Sequence, residues 1–313
     1  MARILVTGGA GFVGSNLVHA LLERGDDVAV IDDLSSGRIE NLAGALERID
    51  FVRGDIRDTD AVMRAMQGCD GVLHQAALPS VSRSVANPRA SHDVNVNGTL
   101  EILEAARALG VKRLVYAASS SAYGETKQLP KVETMAPQPL SPYGAGKLFC
   151  EYYLSVWHHV YGLETVALRY FNVFGRRQSP TSAYAAVIPK FVTMMAKGER
   201  PLINGDGLQS RDFCYIDNVI EANLAALEAR DAPGHVYNIA LGDRITLIEL
   251  IAAINEILGT NVEPIFGEPR AGDIRHSQAD ISAARADLGY QGAISFREGL
   301  RRAVAWYLEH PEG

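Results

Sequence analysis

Cysteine is scarce in this chain: Cys69, Cys150 and Cys214 are the three among 313 residues. An odd number at wide spacing leaves no disulfide framework and no CxxC metal pattern. A reducing cytosol fits, with each thiol a small buried hydrophobe. No apolar run reaches the roughly 18 residues of a membrane span. The first strand begins at Arg3, so no secretory leader is expected. Runs of Lys or Arg are missing too, and a net charge of −7 with a pI near 5.6 argues against a nucleic-acid groove. Repeats and low-complexity stretches are absent. These absences describe a cytoplasmic protein with no membrane, nucleic-acid or metal partner.

What remains is an ordinary globular composition, 47% hydrophobic and 21% charged. The length exceeds one small core and predicts two lobes. Short β-branched runs at Arg3–Thr7, Val28–Ile31, Asp50–Gly54, Gly71–Gln75, Lys112–Ala118 and Thr165–Tyr170 read as buried strands. Helical spacing covers Phe12–Arg24, Arg89–Leu109 and Pro142–Tyr161. Strands alternating with helices predict an α/β fold, a Rossmann-type doubly wound parallel sheet with right-handed crossovers. After Asn172 the rhythm weakens. A helix is expected near Ile188–Lys197, a returning strand at His235–Ala240, and helices at Leu247–Leu258 and Phe296–Glu309; Gly259–Asp273 reads as irregular. This predicts a nucleotide-binding domain over residues 1–172 plus about 212–258. A smaller α/β lobe would take about 173–211 plus 259–313.

Gly8, Gly11 and Gly14 follow the first strand and open a helix. In that context GxxGxxG is a dinucleotide fingerprint. Glycine lets backbone turn and approach a pyrophosphate, and the helix N-terminus offers free N–H groups and a positive dipole end. Asp32, ending the next strand, is placed to accept hydrogen bonds from an adenosine ribose diol and to repel a 2′-phosphate. NAD is therefore favoured over NADP. Asp55 and Ile56, after the third strand, could flank the adenine with a carboxylate and an apolar side chain.

Ser119-Ser120-Ser121 ends the fifth strand, and the carboxyl ends of strands in open α/β sheets face the ligand. Tyr143 and Lys147, four residues apart on the next helix, share one face. An ammonium beside a phenol, with a positive nicotinamide ring, should lower the phenol's pKa and make it a general base near neutral pH. Ser119 would hold the same substrate hydroxyl, and Lys147 would also bind the nicotinamide ribose.

Read together, these segments resemble the extended short-chain dehydrogenase/reductases, and within them the UDP-hexose 4-epimerases. The likeness is greatest to the bacterial branch acting on UDP-N-acetylglucosamine. It rests on GGAGFVG at 8–14, DDLSSG at 32–37, GDIRD at 54–58, HQAAL at 74–78, NVNGT at 95–99, SSSAYG at 119–124, SPYGAGK at 141–147, RYFNVFG at 169–175 and GDGLQSRDFCYIDN at 205–218. The resemblance implies reversible oxidation at C4 of a UDP-sugar by tightly bound NAD through a 4-keto intermediate, with Tyr143, Lys147 and Ser119 catalytic. It extends the cofactor set to Phe12, Val13, Asp33, Ser36, Gly37, Gln75, Ala76, Ala77 and Asn95. Asn172, Arg211, Arg270 and Asp273 take the places of substrate-phosphate and ribose contacts; arginine suits a diphosphate by its bidentate, permanent charge. Ser120, Ser121, Ala186 and Val187 fall where relatives touch the sugar nucleotide, and Ser80 and Gln178 are further sugar contacts. Ser277 departs from the bulky tyrosine of epimerases restricted to UDP-glucose and UDP-galactose, leaving room for an N-acetyl group at C2. A homodimer through a four-helix bundle of Arg89–Leu109 and Pro142–Tyr161 is implied as well.

Membership of such a family does not fix the reaction. A 4,6-dehydratase needs an Asp-Glu pair where this chain has Ser120-Ser121. A uronate 4-epimerase or decarboxylase must hold a carboxylate at C6, for which Arg83, Arg176 and Arg177 are candidates. A non-catalytic NAD-sensing regulator usually loses the tyrosine, which is kept here.

Overall fold

Arg3–Thr7 (β1) lies inside a seven-stranded, wholly parallel sheet. Asp27–Asp32 (β2) and Ile49–Arg53 (β3) follow on one side; Gly71–His74 (β4), Arg113–Ser119 (β5), Glu164–Tyr170 (β6) and Val236–Ile239 follow on the other. The order reverses between β1 and β4, where a crevice opens at the strands' carboxyl ends. This is the Rossmann-type sheet that the alternating pattern predicts. The computed structural model describes residues 1–126, 128–180, 186–269 and 275–310.

Two cores flank the sheet because strand residues alternate faces. Ile4 and Val6 join Leu17, Leu21 and Val219 on one side. Leu5 joins Ala61, Ile102, Leu154 and Trp157 on the other. The helix Phe12–Arg24 (α1) stops at Gly25, which takes a left-handed conformation no β-carbon obstructs. Pro142–Tyr161 starts on Ser141, whose side chain accepts from the Gly144 N–H, and ends at left-handed Gly162.

Arg89–Leu109 is less regular than its spacing predicts. Pro88–His92 and Gly98–Ala108 are α-helical, and Asp93–Asn97 between them is a π-turn. Such a widened turn is frequent at functional sites. Gly259–Asp273, expected to be irregular, contains a strand at Ile265–Gly267 paired with Leu202–Asn204. Two further helices, Thr59–Met66 and Ile216–Glu228, add to those expected from the spacing. Leu247–Leu258 packs against Val187–Ala196 and Phe296–Glu309, beside the short pairs Val173–Phe174 with Cys214–Tyr215 and Ser210–Arg211 with Ile245–Thr246. All three cysteines are free and buried. Among the described residues no helix is long and apolar enough to cross a membrane, and no cluster of potential metal ligands occurs.

Candidate active site

The β1–α1 turn needs its glycines for close approach. Gly8 has φ +66, and a β-carbon there would stand 2.8 Å from Ala76 backbone. A β-carbon on Gly14 would stand 2.1 Å from the Gly8 carbonyl, so no side chain fits between helix and turn. Gly8, Gly11, Phe12, Val13 and Gly14 line a cleft over the sheet's carboxyl end. Asp32, Asp33, Ser36, Asp55, Ile56, Gln75, Ala76, Ala77, Tyr143 and Lys147 line the same cleft.

Asp32 sits at the end of β2. Its two carboxylate oxygens accept from the Ala10 N–H at 2.9 Å and the Leu34 N–H at 2.8 Å. Burial pushes its pKa up against those two hydrogen bonds. Gly37 does not itself line the cleft; a β-carbon there would lie 2.9 Å from both Asp32 oxygens, so glycine makes room for the carboxylate. Each oxygen keeps lone pairs for a ribose diol, and a 2′-phosphate would meet this negative group. Asp55 is paired with Arg57, which holds its pKa below the usual carboxylate value. The glycine turn, Asp32 and Ile56 together fit NAD.

Asn95 acts one step back from the cleft. Its side chain accepts from the Leu78 N–H at 2.7 Å and donates to the Leu78 carbonyl at 3.2 Å. It thus anchors the loop after β4 rather than lining the cleft. Tyr170, unforeseen, does line it; its hydroxyl lies 3.2 Å from Gln75 Oε1 and 3.0 Å from Asn223 Oδ1. Its place at the carboxyl end of β6 was the available signal.

Ser119 ends β5, and its hydroxyl accepts from the Ser121 N–H. Tyr143 is in the first turn of Pro142–Tyr161, where its N–H donates to Ser84 Oγ. The Tyr143 phenol is raised above its usual pKa because burial outweighs the hydrogen bond from Ser119. The expected lowering needs a positive nicotinamide ring beside the phenol; the protein's own groups leave it raised. Lys147 does not counter it: its ammonium is buried and donates to the Ala117 carbonyl at 2.7 Å. Burial brings the Lys147 pKa down to about 8.

A second cavity begins at Ser120, the residue after Ser119, which itself lines neither cavity. Of the expected substrate contacts, Ser120, Ser121, Asn172, Ala186, Val187, Arg211 and Ser277 line it. Asn172 has φ +33 and donates to the Asp212 carbonyl at 3.1 Å. Ser80 lines neither cleft; its hydroxyl accepts from the Arg83 N–H and caps the helix Val81–Ala86. Gln178 donates to the Val173 carbonyl and lies outside the cavity lining. Arg270 and Asp273 lie outside the described residues. Arg176 pairs with Asp217 and Arg177 donates to Asn16, so neither points charge into this cavity. Lys131 and His276 also line it, with no motif to announce them. The His276 Nδ1 lies 2.8 Å from Ser210 Oγ; burial, then Arg244, Arg275 and Arg211, push its pKa down.

Comparison with known proteins agrees with this geometry. The model of the NAD dependent epimerase/dehydratase family matches residues 4–240. A putative UDP-glucose 4-epimerase of Methanocaldococcus jannaschii is 40% identical over 305 residues, 97% of each chain. Among solved structures, the UDP-glucose 4-epimerase of Thermotoga maritima with UDP-glucose superposes with a TM-score of 0.95 at 39% identity, covering 99% of this chain and 100% of that one. The UDP-N-acetylglucosamine 4-epimerase of Methanobrevibacter ruminantium M1, in complex with UDP-N-acetylmuramic acid, gives 0.94 at 40% identity and 99% of each chain.

Proposed function

This chain belongs to the NAD dependent epimerase/dehydratase family, with NAD as its cofactor, and we propose that it interconverts the C4 epimers of UDP-hexoses. UDP-N-acetylglucosamine and UDP-N-acetylgalactosamine form the principal pair, and UDP-glucose and UDP-galactose are accepted too. The observation that carries this reading is that Ala117, Ala118 and Tyr143 line the cleft at the glycine turn, while Ser120 and Ser121, directly after Ser119, line a second cavity with the small Ser277 in its wall.

NAD supplies the reversible acceptor and donor of the C4 hydride. The Tyr143 oxygen takes the O4 proton on oxidation and returns it on reduction. The Ser119 hydroxyl holds the same O4 and hydrogen-bonds the phenol. Lys147, in the wall of the same cleft, would hold the nicotinamide ribose. Inversion requires the 4-keto sugar to present its other face, and a cavity with no bulky side chain at position 277 leaves space for that turn. Asn172 and Arg211 hold the diphosphate, with Arg270 and Asp273 completing the nucleotide contacts. We place the boundary between lobes along this cavity.

Phe149, Tyr152, Val156 and Val160 form an exposed stripe along Pro142–Tyr161. Their spacing puts them on one helical face, which supports a homodimer through this helix.

The test is incubation of purified protein with UDP-N-acetylglucosamine, UDP-glucose and UDP-glucuronate, with no NAD added, and NMR of the products. C4 epimers of the first two are expected. Loss of water or CO₂, or epimerisation of the uronate alone, would replace this reading; no turnover of any would favour an NAD-sensing regulator.

A further inference from the structure

Lys131 is 3% exposed, yet it lines the second cavity between the Ser120–Gly124 segment and Ser277. Its ammonium donates to the Thr126 carbonyl at 3.0 Å, and among the described residues it pairs with no carboxylate. Two of its three N–H bonds remain for a ligand. An enclosed cation with no carboxylate in contact is costly, and a ligand acceptor would offset that cost. Burial pushes its pKa down, with Glu125 the one opposing charge.

The backbone of Lys131 is held from several sides. Its N–H donates to the Gln278 carbonyl and its carbonyl accepts from the Asp280 N–H, both at 2.8 Å. The Asn238 side chain donates to the Lys131 and Asp280 carbonyls at 3.1 Å each and accepts from the Tyr123 hydroxyl at 2.7 Å. One buried amide therefore fastens the segment after Ser119, the Lys131 segment and the segment running on from Ser277. Lys131 and Ser277 thus share the wall of one cavity.

We infer that Lys131 is a specificity-determining residue that donates a hydrogen bond to a carbonyl oxygen carried by the hexose, the acetamido oxygen at C2, in the space that Ser277 leaves. Ser277 admits the acyl group by its small size; Lys131 rewards it with a charged donor. The inference rests on the UDP-hexose reading above.

The experiment compares wild type with Lys131→Met, which keeps the aliphatic stem, and Lys131→Gln, which keeps a neutral donor. KM and kcat are measured for UDP-N-acetylglucosamine and UDP-glucose, with UDP-glucuronate as a third arm. In the Met variant KM for the N-acetylated sugar is expected to rise about tenfold, the scale of one charge-assisted hydrogen bond, with UDP-glucose unchanged. Partial recovery is expected in the Gln variant. An equal change for both sugars would make Lys131 a structural tether of Thr126, and no change would remove it from recognition; either overturns the proposal. Uronate turnover in wild type that vanishes in the Met variant would assign the ammonium to a carboxylate and overturn it too. Should wild type turn over no UDP-hexose, the functional reading fails separately. Calorimetric affinities of both sugars for wild type and the Met variant then still show whether the ammonium discriminates between them.

Discussion

The Lys147 ammonium donates a 2.7 Å hydrogen bond to the Ala117 carbonyl, two residues before Ser119 on the same strand, and lies 4.6 Å from the centroid of the Tyr116 ring. The strand that presents the serine therefore also holds the lysine. That leaves the Tyr143 phenol to be governed by burial, and its pKa is raised. In NAD-free protein the phenol should be protonated at neutral pH. An ultraviolet difference titration of wild type against Tyr143→Phe should show its ionisation above pH 10, moving down once the positive nicotinamide is loaded. The same midpoint with and without NAD would mean that cofactor charge does not tune the base. Tyr143→Phe should lower kcat by at least about 10²-fold, with melting temperature and NAD content kept.

Lys147 itself should titrate near pH 8 in the NAD-free protein, since burial lowers its pKa to about 8. Below that pH the ammonium is present; above it the cation is lost. An NMR titration of its ε-carbon checks the value, and a midpoint near that of an exposed lysine would show that the site is hydrated.

Asp32→Asn should lose NAD. Both carboxylate oxygens accept backbone N–H groups, so an amide must turn its NH₂ toward one of these donors. The cofactor absorbance of the purified variant should fall well below that of wild type, by a cost of about 1–3 kcal/mol in binding. Full NAD content would show that the ribose is held elsewhere.

Ser277→Tyr fills the cavity wall that the N-acetyl group is proposed to use. Activity on UDP-N-acetylglucosamine should fall more than about tenfold while UDP-glucose is still epimerised, because shape excludes more strongly than it permits. Full activity of the variant on the N-acetylated pair would end the gate idea.

Asp212→Asn should destabilise the fold by about 1–3 kcal/mol. One Asp212 oxygen accepts from the Leu241 N–H; the other accepts from those of Gly242 and Ala279. An amide leaves at least one donor facing another. Burial raises the Asp212 pKa from 3.8 to about 6, so the folded state binds the extra proton between those values. Its contribution to stability therefore falls as pH rises from about 4 to 6, fully favourable below that window and absent above it. Urea unfolding across this range should show the fall in wild type and lose it in the Asn variant.

Features encoded within a few residues could be read directly from the chain. Gly8, Gly11 and Gly14 mark the turn because only glycine allows a contact as close as that between Gly14 and the Gly8 carbonyl. Ser141 and Gly162 mark the ends of the helix Pro142–Tyr161 by local capping geometry. Asp32 at a strand end after the glycine turn was enough to favour NAD, and the four-residue spacing of Tyr143 and Lys147 was enough to put both in the wall of one cleft. Folding was needed for the rest. The rise in the Tyr143 pKa comes from burial, which no residue spacing reports. Asn95 turned from cofactor contact to loop anchor because its partner Leu78 is 17 positions away. Lys131 faces the cavity because Asn238, 107 positions on, grips its carbonyl. Backbone preference and side-chain period act over one or two turns and are written into neighbouring residues. Desolvation and long-range hydrogen bonds depend on which distant segments pack together, and so arise with the tertiary structure.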